Sequence, residues 1–120
     1  MTMMVKHSLL MDVEEYFAVK NYLIKLSQEN KLINDTYIKQ FYKAFAIESN
    51  IELDRKARLF DNPLATVIFY LDNDSALLST IGLFCREHAI DQNRNNPQLA
   101  NALSRIRNYI STELMDIYGL

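Results

Sequence analysis

Glycine is nearly missing from this chain of 120 residues; there are two, Gly82 and Gly119, and two prolines, Pro63 and Pro97. A β-rich fold of this size needs many tight turns, and tight turns draw on glycine for positive φ. The scarcity predicts an all-α fold: one compact domain of five or six helices over residues 1–120, with residues 1–11 as a loose N-terminal arm. The single Cys85 excludes an internal disulfide and fits a reducing, cytoplasmic setting. One cysteine and two histidines cannot furnish a conventional four-ligand zinc site. Neither glycine has another nearby, so phosphate-cradling glycine loops are excluded. The chain has no apolar run long enough to span a bilayer, and its start lacks the apolar core and cleavage site of a secretory signal. No cofactor, metal or membrane contact is expected.

Charge is unevenly spread. Net charge is −2, which argues against a general nucleic-acid binder. Residues 1–60 hold nine Lys/Arg and eight Asp/Glu, whereas residues 61–120 hold four and seven. The second half has no lysine; its cations are Arg86, Arg94, Arg105 and Arg107. An acidic half of this kind suits a basic partner.

What is present reads mostly as helix signals. Asp12-Val13-Glu14-Glu15 has the form of a capping box, with Met11 and Tyr16 at the staple positions. It predicts a helix from Asp12 to about Asn30 whose apolar arc is wider than a surface helix needs, hence a helix central in the bundle or facing a partner. A second helix is expected from Asn34 or Asp35 to Glu48, with Tyr37, Ile38, Phe41, Tyr42 and Phe45 on one face. Ser49-Asn50-Ile51-Glu52 resembles another capping box, and Leu53, Ala57 and Phe60 follow at helical spacing. Leu64 to Leu71 is an apolar run rich in β-branched and aromatic residues. Alone it could be a buried strand, but no partner strand is visible, so it is read as a buried helix. Asp72-Asn73-Asp74-Ser75 is a stop and restart. Asn96 and Pro97 open a last helix with a stripe at Leu99, Leu103, Ile106, Ile110, Leu114 and Ile117, and Gly119 ends it.

Chemistry is sparse. Cys85 and His88 lie one helical turn apart, the only nucleophile-and-base spacing in the chain. The apolar stretch Ile81-Gly82-Leu83-Phe84 before Cys85 points instead to a buried, structural thiol. Asp72 and Asp74 lack the glycine and distal glutamate of a calcium loop. Arg94, Arg105 and Arg107 are the best nucleic-acid candidates, but Arg105 and Arg107 diverge around their helix. The class that remains is a binding module rather than an enzyme. Its expected contact residues are the carboxylates Glu14, Glu15, Asp72 and Asp74, with Tyr22 and Tyr42 as aromatic anchors.

The acidic stretch Asp12-Val13-Glu14-Glu15-Tyr16-Phe17, the aromatic-rich Tyr37 to Phe45 and the turn Asp72-Asn73-Asp74 carry a resemblance in size and composition. The chain resembles the small all-α immunity proteins encoded beside bacterial contact-dependent growth-inhibition and related polymorphic toxins. The resemblance implies a one-to-one complex with a basic, nuclease-type toxin domain, neutralised by occlusion. Two other readings stand beside it: a small phage or plasmid regulator binding DNA or the transcription machinery, and a structural subunit self-associating through its first helix.

Overall fold

The computed structural model describes residues 3–32, 35–59 and 61–120. The expected all-α bundle is wrong. Among the described residues there are four α-helices, and a three-stranded antiparallel sheet takes a quarter of the chain. In chain order the elements are β1 (Met4–Asp12), α1 (Val13–Gln28), α2 (Thr36–Tyr42), a π-helical turn (Lys43–Ile47), β2 (Asn50–Leu59), β3 (Asn62–Asp72), α3 (Ser75–Gln92) and α4 (Pro97–Tyr118). The sheet order is β1-β3-β2.

The apolar run 64–71 is the central strand, not a buried helix. Its β-branched and aromatic residues favour the pleat, and it has partners on both sides. β1 pairs with it from Met4↔Asp72 to Asp12↔Leu64. β2 pairs with it from Asn50↔Ile68 to Asp54↔Leu64, then again at Arg58↔Pro63 and Leu59↔Asn62. Residues 4–11, expected as a loose arm, are therefore most of an edge strand. The expected third helix is the other edge. Phe60, which completed that helical spacing, lies outside the described residues, as does Asn34. Ser49 does not cap a helix start. Its hydroxyl donates to the carbonyl of Phe45, in the middle of the π-helical turn, and meets the Tyr16 hydroxyl at 2.6 Å.

The glycine argument failed because this sheet contains one hairpin only. α1 and α2 separate β1 from β2, so β2–β3 is the sole β-hairpin among the described residues; the turn after α1 is also made without glycine, by Asn30 with φ of 58°. Asp61 makes the hairpin turn with φ of 68°, and a short polar side chain tolerates that left-handed conformation. Three extra residues, Arg55, Lys56 and Ala57, bulge from β2, and the Asp54 carboxylate accepts from the amides of Lys56 and Ala57 at 3.1 Å each.

The helices start where their cap residues predict, but the capping box at Asp12 does not close: Asp12 accepts from the Glu14 amide, and the Glu15 carboxylate turns to Arg105. Asp12, Asp35, Asp74 and Asn96 each accept from amides of the following turn at 2.7–3.3 Å. Gly119 ends α4 with φ of 69°. The π-helical turn is marked by the Glu48 amide bonding the Lys43 carbonyl at 2.9 Å, five residues back.

All helices lie on one face of the sheet. Ala65, Val67, Phe69 and Leu71 point toward them and are buried, as are His7, Leu9 and Met11 of β1. α1 sits between sheet and bundle, with Tyr16, Val19, Leu23 and Leu26 buried; packing on β3, the π-helical turn, α2 and α4 accounts for most of its wide apolar arc, and Phe17 stays exposed. α3 packs chiefly on α4, through Leu77, Leu78, Ile81 and Cys85 against Leu99, Leu103, Ile106 and Ile110. Gly82 faces α4, where an added Cβ would stand in ordinary contact with Ile110 Cγ2, 3.4 Å away. Among the described residues no helix is long and apolar enough to cross a membrane.

The two faces of β3 make a stability test. Phe69→Ala should cost about 3–5 kcal/mol, because it empties a fully buried aromatic site. Thr66→Ala, on the opposite face of the same strand, should cost less than about 1 kcal/mol. Urea unfolding of both variants checks the assignment of faces.

Candidate protein-binding surface

Side chains alternate across a strand, so the register assigns the outward face directly. On β3 the outward residues are Leu64, Thr66, Ile68 and Tyr70; on β1 they are Met4, Lys6, Ser8 and Leu10; on β2 they are Asn50, Glu52 and Asp54. Among the described residues, only at the Met4–Tyr70–Asp72 corner do α2 and the π-helical turn reach this face, where Thr36, Lys39, Gln40, Lys43 and Glu48 line a groove of about 440 Å³ with those three residues. Met4 is 52 %, Leu10 55 % and Tyr70 47 % exposed, while Leu64, Thr66 and Ile68 are half-buried only by their neighbours on the same face. The centre is therefore apolar, and its rim is mixed: Glu52, Asp54 and Asp72 stand against Lys6, against Lys39 and Lys43 at the Tyr70 corner, and against exposed Arg55 and Lys56 in the bulge.

The edges of this face are treated differently. The outer edge of β1 is partly closed by α4: the Ser8 amide donates to Tyr109 Oη at 3.1 Å. The same phenol lies 3.1 Å from His7 Nδ1, and Glu113 stands 3.9 Å from that nitrogen. Burial, then the Glu113 charge, pushes the Tyr109 phenol up to about 12. His7 is buried, stacked on Phe69, and its Nε2 has no hydrogen-bond partner. The edge of β2 is broken by its bulge, a common guard against unwanted strand pairing.

At the end of the sheet where β1 enters α1, a polar groove of about 740 Å³ runs beside α4. Asp12, Asn101 and Asn108 line it, and Arg105 reaches across to Glu15 with nitrogen–oxygen distances of 3.2 and 3.4 Å. Gln98 donates to Glu14 at 3.0 Å.

The expected contact residues do not form one site. Glu14 and Glu15 lie at the α1 end of the sheet, each bound to α4. Asp72 lies at the other end of β3, about 26 Å away along the strand, and Asp74 is occupied as the cap of α3. Tyr22 is half-buried, with its hydroxyl on His88 Nδ1. Tyr42 packs on the small cluster of Leu26, Leu32 and Ile38. Of the six, only Asp72 borders the open sheet face. Met4, Leu10, Ile68 and Tyr70 were missed. For Ile68 and Tyr70 the signal was present in Leu64 to Leu71, which is apolar at every position but Thr66, a pattern suited to a strand covered on both sides.

Among the described residues, no three His, Cys, Asp or Glu side chains gather as a metal set. Arg105, held by Glu15, is removed from the arginine set considered for nucleic acid. Cys85 is fully buried, and burial pushes its thiol well above the ordinary range. No protein-family model matches the chain, and no characterised protein or solved structure matches it at a significant level.

Two predictions follow from these buried groups. The Cys85 thiol should resist labelling at neutral pH at native conditions and react at full rate in denaturant, followed with a chromogenic disulfide reagent. Burial holds both His7 and His88 below the ordinary histidine value of 6.5. The unfolded chain then binds more protons than the folded one as pH falls through 6.5, so stability is full above that value and declines below it. Urea unfolding from pH 8 to 5 should show this decline. His7→Asn, which keeps a polar atom for Tyr109 and removes the unpaired Nε2, should lessen it and leave the part due to His88.

Proposed function

We propose that this protein is a non-enzymatic binding module that covers part of a partner protein with the open face of its sheet. The observation that carries the reading is β3 itself. An antiparallel sheet with one solvated face ordinarily presents polar residues there. β3 presents Leu64, Thr66, Ile68 and Tyr70 and no charged residue between them. An apolar centre with a polar rim is the layout of a protein interface, and Tyr70 is the kind of side chain that anchors one. Binding is favoured over catalysis because the chain's reactive groups are otherwise engaged: Cys85 is sealed in the core, His88 is held by Tyr22, and Glu15 is paired with Arg105.

The rim is mixed, with Lys6, Lys39 and Lys43 beside Glu52, Asp54 and Asp72, so the case for a cationic partner rests on the net charge of −2. A basic, nuclease-type toxin domain fits this chemistry; the resemblance to all-α immunity proteins lends only size and composition, because the sheet departs from their all-helical fold. In that reading the carboxylates steer encounter, the apolar centre holds the complex, and the toxin is silenced by occlusion.

The test places a photo-crosslinking residue at Tyr70 and, as a control, at exposed Gln28 in the producing cell. An adduct with a basic protein should form at position 70 and not at 28. With that protein purified, Tyr70→Ala should weaken binding about tenfold or more. Asp72→Lys should chiefly slow association and reduce its dependence on salt. Adducts that form equally at both positions, or affinity unmoved by both substitutions, refute the reading. Concentration-dependent dimerisation abolished by Tyr70→Asp would instead assign the face to a second copy of the chain.

A further inference from the structure

The outer surface of the α3–α4 hairpin carries charge of the sign opposite to the chain as a whole. At 100° per residue, Ser79, Leu83, Arg86, Ile90 and Asn93 share an arc of about 80° on α3. Ser104, Arg107, Ser111 and Leu114 share a similar arc on α4. Arg86 and Arg107 both line two shallow grooves along the seam, of about 460 and 240 Å³. That places the two guanidiniums opposite one another, between the grooves. No carboxylate lines either groove. Among the described residues neither arginine makes an ion pair or a side-chain hydrogen bond, whereas Arg105, two residues away, is held by Glu15. The acidic residues nearest in sequence on α3, Glu87 and Asp91, bear on His88 instead, farther around the helix.

Apolar groups flank this positive centre. Leu83 lies one turn before Arg86 and Ile90 one turn after it, and they are 53 % and 66 % exposed. Gly82 lines the smaller groove and bears no side chain to fill it.

We propose that the α3–α4 seam is a docking site for an acidic, amphipathic helical segment of a protein. Carboxylates on the segment would meet Arg86 and Arg107, and its apolar side chains would rest on Leu83 and Ile90, as in helix-in-groove recognition. Charge complementarity selects the occupant: two unneutralised guanidiniums with no acid beside them call for anions. The flanking leucine and isoleucine favour a peptide over a nucleic-acid backbone, which needs a run of cations. The seam is on α3 and α4, away from the open sheet face, so this inference stands independently of the proposed function.

The test uses the full chain, isotopically labelled, and a synthetic helical peptide of about five turns with leucines on one face and glutamates beside them. Two further probes are the same peptide with lysine for glutamate and a short DNA duplex. The acidic peptide should shift the amide resonances around Leu83, Arg86, Ile90 and Arg107 and bind more weakly as salt rises. The double variant Arg86→Glu/Arg107→Glu should weaken it at least tenfold; both side chains are exposed, and circular dichroism confirms the fold. Leu83→Ser should weaken it with less effect on the salt dependence. Tyr70→Asp should leave it unchanged, which separates this site from the sheet face. Equal binding of the lysine peptide, resonance shifts elsewhere, no binding, or preferential binding of the duplex to the seam would each overturn the proposal.

Discussion

Everything in this structure depends on β3 being held from both sides. Its backbone pairs with a strand from the start of the chain and with the strand just before it, and its inner side chains Ala65, Val67, Phe69 and Leu71 are the floor on which α1, the π-helical turn and α4 assemble. A three-stranded sheet is little more than a ribbon, and such ribbons gain independence by packing one face on helices. Phe69 shows how the layers are joined: it meets Phe45 of the π-helical turn, His7 of β1 and Tyr109 of α4. Remove β3 and neither edge strand has a neighbour.

Charged groups tie the layers at their ends rather than at their centre. The Arg105–Glu15 pair joins α4 to α1, and Gln98–Glu14 repeats the tie about two turns nearer the start of α4. Such half-exposed pairs add little stability; their use here is orientation. Tyr109 does the same for α4 and β1, through the Ser8 amide. Tyr118, whose hydroxyl reaches Asn73, fixes the far end of α4 to the turn after β3.

The helices were legible because their starts and stops are local chemistry. Asp12, Asp35, Asp74 and the Asn96-Pro97 pair could be read within a few residues, and the structure uses all of them as caps. The sheet was not legible because its evidence is distributed. The alternation Ile51-Glu52-Leu53-Asp54 is a fair strand signal, yet Leu53, Ala57 and Phe60 also repeat at helical spacing. In β1 the run Leu9-Leu10-Met11 hides the alternation, since Leu10 is apolar and outward. Leu64 to Leu71 was recognised as strand-like and set aside for want of partners sixty residues away. The contact face followed the same fate: which residues point outward depends on whether the period is 2 or 3.6. Choosing site residues by charge found Asp72 and missed Tyr70, two positions before it.

The pairing of β1 with β3 also sets an order of events for a chain made from its N-terminus. β1 leaves the ribosome well before residues 62–72 exist, and α4, which seals its outer edge through Tyr109, comes later still. The helices between them form through local contacts, but the sheet closes by joining ends of high sequence separation, the slow kind of step in folding. Until then Leu9, Leu10 and Met11 stand as an unpaired apolar strand. The same outward leucine that would grip a partner in the finished protein is thus a hazard in the nascent one, and a chaperone or an early-arriving partner would find it there first.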